Sequence, residues 1–358
     1  ELQSRAAQAV EMAKGAGADE AWATATQSRD VEFNFRDGSL EKVKDTTSRG
    51  LNIEIYADGR YSSHQTTDLN PDRLSGFVAE AVAITRALEP DKFREITPAE
   101  LFAHRPTDDL DLVDAAVAAL TREQRLEWCQ GLDRIATDHD KVISATAGVY
   151  DGSFELASIS SNGFSGTRAS TYCWYGSSVT LRDQGERRAS DGYYAGSAHV
   201  GDLPAATDVA QVALDRALAR LGSEKGPTAK TTMVVDSRAA GQLLGRLLGA
   251  ATARRVQQGQ SFWADLVGTK AFSDKLTILD DPLIPRGFGS RHFDDEGISA
   301  RTIPIIESGE VRNLYVDTYH GRKTGMEPTT GSASNRVVDP GEQSLDELLA
   351  AVGEGVYV

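Results

Sequence analysis

The stretch VEFNFRDGSL, residues 31–40, decides the class of this fold. Val31, Phe33 and Phe35 alternate with Glu32, Asn34 and Arg36, and Asp37-Gly38 follows. A period of two places the apolar residues on one face of a strand. Asp-Gly supplies two residues that tolerate the positive φ of a tight hairpin turn. The pattern then repeats: Leu51, Ile53 and Ile55 alternate with Asn52, Glu54 and Tyr56, ahead of Asp58-Gly59. Together they predict an antiparallel sheet over about residues 20–67, buried on one face.

Helical signals bracket this sheet. Leu2, Ala6, Ala9, Val10 and Ala13 share a helical face that Gly15-Ala16-Gly17 stops, and Pro71 opens a helix running to about Leu88. The region from Glu89 to about Asp111 contains proline and reads as a linker. A helix is then expected over Arg122–Asp138. Strands follow, with Asp151-Gly152, Asn162-Gly163 and Gly185 as turn points, and RASTYCWYGSSVTLRD (168–183) is rich in β-formers. Val209 to Leu221 gives an amphipathic helix closed by Gly222. Helix, hairpins, helix therefore occurs twice, as an architectural echo without a sequence repeat.

Beyond the short linker EKGPTAK (224–230), TTMVVD (231–236) reads as a buried strand, with Asp236 as N-cap of the next helix. That helix carries GQLLGRLLGAATARR (241–255), with Gly241, Gly245, Gly249 and Ala253 at every fourth position. Glycine costs about 1 kcal/mol relative to alanine inside a helix. The stripe marks either tight packing within the chain or the border of a groove or subunit interface. KLTILDDPLIP (275–285) reads as strand and turn, and ARTIPIIESGEVRNLYVD (300–317) as a hairpin around Ser308-Gly309. TGMEPTTGSASNRVVDPGEQ (324–343) is loop, Ser344–Ala351 a short helix, and GEGVYV (353–358) the start of a strand. The expected class is α+β: antiparallel sheets with packed helices, two N-terminal helix/hairpin units, and a C-terminal mixed α/β domain. The corresponding regions are 1–105, 106–226 and 227–358, the last apparently incomplete at its end.

Composition narrows the partners. The 358 residues carry 38 basic against 53 acidic side chains, a net charge of −15. Such a surface repels nucleic acid and anionic membranes, so neither is an expected partner. Cys129 and Cys173 stand far apart with no CxxC, which fits two buried thiols in a reducing compartment. No apolar run reaches the roughly 18 residues of a membrane span. The first residues lack the apolar core of a signal peptide. The expected location is the cytoplasm.

Motifs for chemistry are incomplete. None of the histidines sits in HExxH or HExxxH, and His64, His104, His139, His199 and His320 are isolated from carboxylates at ligand spacing. SRHFDDEG (290–297) gathers His292, Asp294, Asp295 and Glu296. It reads either as a local oxygen-rich site or as a charged loop before a strand. Ser39 to Lys42 matches SxxK but runs into a strand where that chemistry needs a helix. GFSGT at Gly163 misses GxSxG, and SNGFSG and GFGSR lack the elements of a phosphate loop.

Three blocks nonetheless carry a family likeness: DGSLEKVKDTTSRGLNIEIYADGRYSSHQTTDL (37–69), GQSFWADLVGTK through YHGRKTG (259–325) and TGSASNR (330–336). With them the chain resembles the TldD/PmbA family, historically labelled modulators of DNA gyrase and understood as metallopeptidases. The TldD kind carries HExxxH on a C-terminal helix, where two histidines and a glutamate bind zinc and activate water. The TldE kind, also called PmbA, lacks that motif and pairs with TldD. Aligning Ala240-Gly241 with the residues before the motif puts Gly245 and Ala250 at the histidine positions and Arg246 at the glutamate. None can ligate zinc, and Arg246 repels a cation.

The resemblance therefore implies a non-catalytic TldE/PmbA-type subunit of a cytoplasmic heterodimer, with zinc in the TldD partner and no cofactor or metal in this chain. It implies that the subunit helps to hold extended peptides, such as leader peptides and unfolded chains. Backbone pairing to a sheet edge would suit such breadth. His292, Asp295, Glu296, Thr330, Gly331 and Asn335 are the candidate substrate-binding residues. Relatives continue past GEGVYV with a Gly-rich segment that holds a cysteine zinc ligand in active subunits. They often have a longer loop at the position of Arg336-Val337. A stand-alone peptide- or protein-binding regulator, and an independent hydrolase built on His292, Asp295 and Glu296, are the rival readings.

Overall fold

The structure, a computed structural model, describes residues 1–226 and 228–358. Its first helix, α1 (Leu2–Gly15), leads into the strands β1 (Glu20–Arg36), β2 (Ser39–Ala57) and β3 (Arg60–Thr66), followed by α2 (Pro71–Arg86). Both Asp-Gly pairs turn as the alternation requires: φ is +48° and +82° at Asp37-Gly38, and +54° and +70° at Asp58-Gly59. The order then recurs: a short α3 (Ala115–Ala119), then α4 (Arg122–Ala136), β4 (Val142–Ser160), β5 (Ser165–Arg182), β6 (Arg188–Ser197) and α5 (Ala206–Ala219). A capping box between Thr121 and Gln124 starts α4.

The two halves share one sheet, in the order β3-β2-β1-β4-β5-β6. β1 and β4 join them antiparallel, from Trp22↔Ser160 to Arg36↔Thr146. Odd-numbered residues near both ends of β1 face the helices, while Arg29 between them is exposed and pairs with Asp45. Ala21, Ala23 and Ala25 meet α1 and α2, while Val31, Phe33 and Phe35 meet α4 and α5. The alternate residues, from Thr24 to Asn34, face away. This assembly comprises Glu1–Lys92, Asp109–Glu224 and Pro285–Phe288.

One expected turn proves to be strand. Asn162-Gly163 and Gly185 lie between strands, but Asp151-Gly152 sits in the middle of β4. Asp151 is 2% exposed and accepts both Nε and Nη2 of Arg125 at 2.6 Å, while Nη1 of Arg125 donates to the carbonyl of Leu120. Gly152 lies under Tyr172, where an added Cβ would stand 2.2 Å from the carbonyl of Arg29. The dipeptide thus meets a buried charge pair and a close backbone approach, two needs that mimic the composition of a turn.

The second unit comprises Phe93–Asp108, Lys225–Ile284 and Gly289–Val358. It contains β7 (Thr232–Val234), α6 (Ser237–Leu248), α7 (Ala253–Gln257), β8 (Ile278–Asp280), β9 (Ile303–Glu307), β10 (Glu310–Val311), α8 (Thr318–Thr324), β11 (Arg336–Val338), α9 (Leu345–Val352) and β12 (Gly355–Tyr357). Trp263, Ile278, Ile305, Ile306 and Val311 centre its core. Ser308 and Gly309 make the expected hairpin turn, and Ser344 caps α9. β11 runs unbroken through Arg336-Val337 beside β8. TTMVVD does form a strand, but not a buried one: among the described residues β7 pairs only with β12, and Met233 is 52% exposed.

Removing one member of the buried pair leaves the other charge unpaired. Arg125→Ala is expected to lower unfolding free energy by about 3–5 kcal/mol in urea titrations. Arg125→Met combined with Asp151→Leu is expected to recover most of that loss.

Candidate functional site

Two places in the second unit bear on function. The first is α6. Its N-cap, Asp236, accepts the amide of Arg238 at 2.9 Å and its Nε at 2.6 Å. The Arg238 side chain, the Tyr357 hydroxyl and that amide hold the Asp236 carboxyl well below the usual range. Leu248 is buried, and Trp263 Nε1 donates at 3.0 Å to the carbonyl of Leu247 in the last turn, which also accepts the amide of Ala250 at 3.4 Å.

The helix stops at Leu248, with Gly249 as C-cap, and α7 begins afresh at Ala253 behind the Thr252 cap. The four small residues are therefore not one helical stripe. A Cβ on Gly241 would meet nothing within 4 Å, and one on Gly245 only a guanidinium nitrogen of Arg336, at 3.8 Å. Neither glycine is there for close packing. Gly245 and Arg246 lie on α6, whereas Ala250 is buried beyond its end. Zinc does not fit these residues: hydrogen, methyl and guanidinium groups offer no ligand, and Arg246 and Arg336 bring positive charge. Among the described residues no group of three or more His, Cys, Asp or Glu side chains is placed to hold a metal ion.

The second place is a cleft of about 260 Å³ lined by Arg94, Asp294, Asp295, Glu296, Asp317, Tyr319, His320, Gly331 and Ser332. Asp294 organises it. Only 3% exposed, it accepts the amides of Glu296 and Ile298 at 3.0 and 2.9 Å, and the Thr330 hydroxyl and Gly331 amide at 3.0 Å each. The carboxylate thus holds its own turn and the 330–331 loop together. Burial raises its pKa against these bonds. A second buried acid, Asp280, accepts the Ser334 amide at 2.8 Å and the Tyr315 hydroxyl at 3.0 Å.

Glu296 meets the start of α8, accepting the amide and hydroxyl of Thr318 at 2.8 and 2.9 Å. Burial, with Asp294 and Asp317 nearby, pushes its pKa up to about 7. Asp317 caps α8 and receives Nδ1 of His320 at 2.7 Å. The last turn of α8 reaches the 93–96 segment: Arg322 donates to the carbonyls of Phe93, Glu95 and Ile96 at 3.0–3.3 Å. Arg94 of that segment lies 3.6 Å over the Tyr319 ring. The cleft therefore presents carboxylates beside one guanidinium and one imidazole.

The candidate binding residues divide. Asp295, Glu296 and Gly331 line the cleft, and Thr330 braces it from behind through Asp294. His292 stands apart, its Nε2 2.7 Å from the carbonyl of Asp108. Asn335 is a cross-tie, donating to the Asp281 carbonyl and Ser290 hydroxyl and accepting the Gly289 amide, all at 2.8 Å. Asp317, His320, Tyr319 and Arg94 were not legible as site residues. His320 is not isolated from carboxylates as its sequence context suggests: Asp317, three residues earlier, is its partner, and a capping Asp before a histidine is the available signal.

Glu296 fixes a pH dependence. Its folded pKa lies above the ordinary 4.5, so the folded chain holds a proton that the unfolded chain releases. The associated stability is complete below about pH 4.5 and is lost as pH rises through about 7. Glu296→Gln is expected to raise stability by about 2–3 kcal/mol at pH 8 and to change little at pH 4, read from thermal melts at both values.

The chain matches three successive family models: PmbA/TldA metallopeptidase domain 1 over residues 25–85, the central domain over 116–221 and the C-terminal domain over 228–358. It is 27% identical over 365 residues to the metalloprotease PmbA of Escherichia coli O157:H7, covering all of this chain and 79% of that one. A crystal structure from Bacteroides thetaiotaomicron, described as a candidate modulator of DNA gyrase, superposes with TM-score 0.95 at 31% identity, over 99% of this chain and 81% of that one. TldE from Thermococcus kodakarensis shares the fold, with TM-score 0.79 at 17% identity over 99% and 82% of the two chains.

Proposed function

The chain belongs to the PmbA/TldD metallopeptidase family, and from that premise we propose that it is the non-catalytic, TldE-type subunit of a heterodimeric zinc peptidase. One observation carries this reading. Where a catalytic member needs two histidines and a glutamate, α6 and the residues after it present Gly245, Arg246 and Ala250, with Arg336 beside Gly245. In this reading a TldD-type partner would hold the zinc, which would supply Lewis-acid activation of water.

This chain's own part is to bind. In the proposed role the cleft at Asp295, Glu296 and Gly331 takes part of an extended peptide, such as a leader peptide or an unfolded chain. The rigid loop behind it, fixed by Asp294 and Asp280, keeps the cleft preorganised, so little ordering is needed when a peptide arrives. No helix of the described residues is long and apolar enough to cross a membrane, and the setting we propose is the cytoplasm.

The test is co-expression with a TldD-type protein from the same cell. The pair is expected to co-purify, contain zinc and cleave peptides, while this chain alone holds no stoichiometric zinc and cleaves nothing. Full activity with zinc in the isolated chain would refute the proposal. Failure to pair with any TldD-type protein would favour a stand-alone peptide- or protein-binding regulator. The combined change Gly245→His, Arg246→Glu and Ala250→His is expected to bind zinc only weakly. Residue 250 lies past the end of α6, so it is not held in one continuous helix with 245.

A further inference from the structure

The large sheet of the first unit ends in an incompletely filled edge. β3 pairs with β2 only from Leu51↔Thr66 to Ala57↔Arg60. Over Ser39–Gly50, β2 has β1 on one side, and among the described residues no strand of the sheet lies on the other. An unpaired edge of this length is a template for an added strand.

Where β3 stops, a cleft of about 540 Å³ opens beside Thr24, Thr26, Gly50, Asn52, Gln65 and Thr67. That is the size range of sites that take small ligands or a short piece of chain. Gly50 makes the room: an added Cβ would stand 3.6 Å from both the Thr26 hydroxyl and the Thr66 carbonyl. The chemistry of the lining is uniform. A quarter of the whole chain is charged, yet the lining consists of hydroxyls, amides, a glycine and Leu51. Asn52 Oδ1 already accepts the Ser63 hydroxyl at 2.9 Å, so its amide nitrogen remains to donate outward. A charged group entering here would lose water without gaining a counter-charge. A neutral amide or hydroxyl finds both donors and acceptors.

We propose that the free edge of β2 and this cleft bind an extended peptide, laid in line with β3, whose neutral amide or hydroxyl side chain enters the cleft. The edge supplies main-chain hydrogen bonds that ignore sequence, and the cleft supplies a preference for uncharged polar residues. This inference rests on the peptide-binding reading above, but it places peptide at a second site, on the first unit, that shares no residue with the cleft at Glu296.

The experiment uses the chain alone and three probes: a decapeptide of Thr, Asn and Gln, a decapeptide of alternating Lys and Glu, and maltohexaose. Binding is read by calorimetry, and its location by amide hydrogen exchange. The neutral peptide is expected to bind and to protect amides within Ser39–Gly50, with the charged peptide at least about tenfold weaker and the sugar inert. Gly50→Val, which places an apolar side chain in the cleft beside Thr26 and Thr66, is expected to weaken binding about tenfold. The near-isosteric Thr26→Val is expected to weaken it about three- to tenfold, the loss of one neutral hydrogen bond. Circular dichroism and melts establish that both variants fold. Equal binding of both peptides, no protection on β2, binding of the sugar in place of the peptide, or no binding at all would each overturn the assignment. Loss of edge binding with partner association and cleavage intact removes this site alone. Loss of partner association with edge binding intact removes the subunit reading alone.

Discussion

The antiparallel seam between β1 and β4 is the constraint on which the first unit depends. Two helix/hairpin halves, each too small to bury its own sheet, become one sheet there, with a common apolar face. The seam sets register, and with a side-chain period of two a one-residue slip would turn Val31, Phe33 and Phe35 away from α4 and α5. Asp151 lies in that seam opposite Val31 and carries the buried charge pair with Arg125 of α4. A buried pair adds little net stability compared with apolar packing, but it penalises any register that separates its members.

Buried carboxylates play the corresponding part in the second unit. Its sheet strands are short, from two to five residues, so regular backbone pairing does little to hold the loops. Asp294 and Asp280 do so by accepting backbone amides from the 331–334 segment, and Arg291 adds bonds to Thr330 and Ser332. Hydrogen bonds to charged acceptors are stronger than neutral ones, and these sit out of water, where breaking one is costly. The same burial crowds negative charge around Glu296 and raises its pKa. Rigidity of the loop and the altered acidity in the cleft thus share one cause.

Much of this was readable in particular residues. The Asp-Gly pairs, the Asp236 and Ser344 caps and the Ser308-Gly309 turn are local signals, because turn and cap geometry depends on a few adjacent residues. Asp151-Gly152 misled for the same reason: its composition is that of a turn, and only α4 reveals the buried partner. Gly241, Gly245 and Gly249 misled through periodicity, since spacing by four assumes one continuous helix and α6 ends at Leu248. Asp295, Glu296 and Gly331 do reach one cleft, but Arg94 arrives from more than two hundred residues earlier, and no local pattern announces it.

By itself, then, the sequence determined the α+β class, the doubled helix/hairpin order and the turns at Asp37-Gly38, Asp58-Gly59 and Ser308-Gly309, all of which follow from residues within a few places of one another. Tertiary structure alone decided that the two halves share a single sheet, that β7 lies exposed, that His292 and Asn335 serve as ties, and that His320, Tyr319 and Arg94 join the acidic turn. These outcomes depend on which distant segments meet, and on the desolvation and charge that the meeting imposes. Neither is encoded in local spacing.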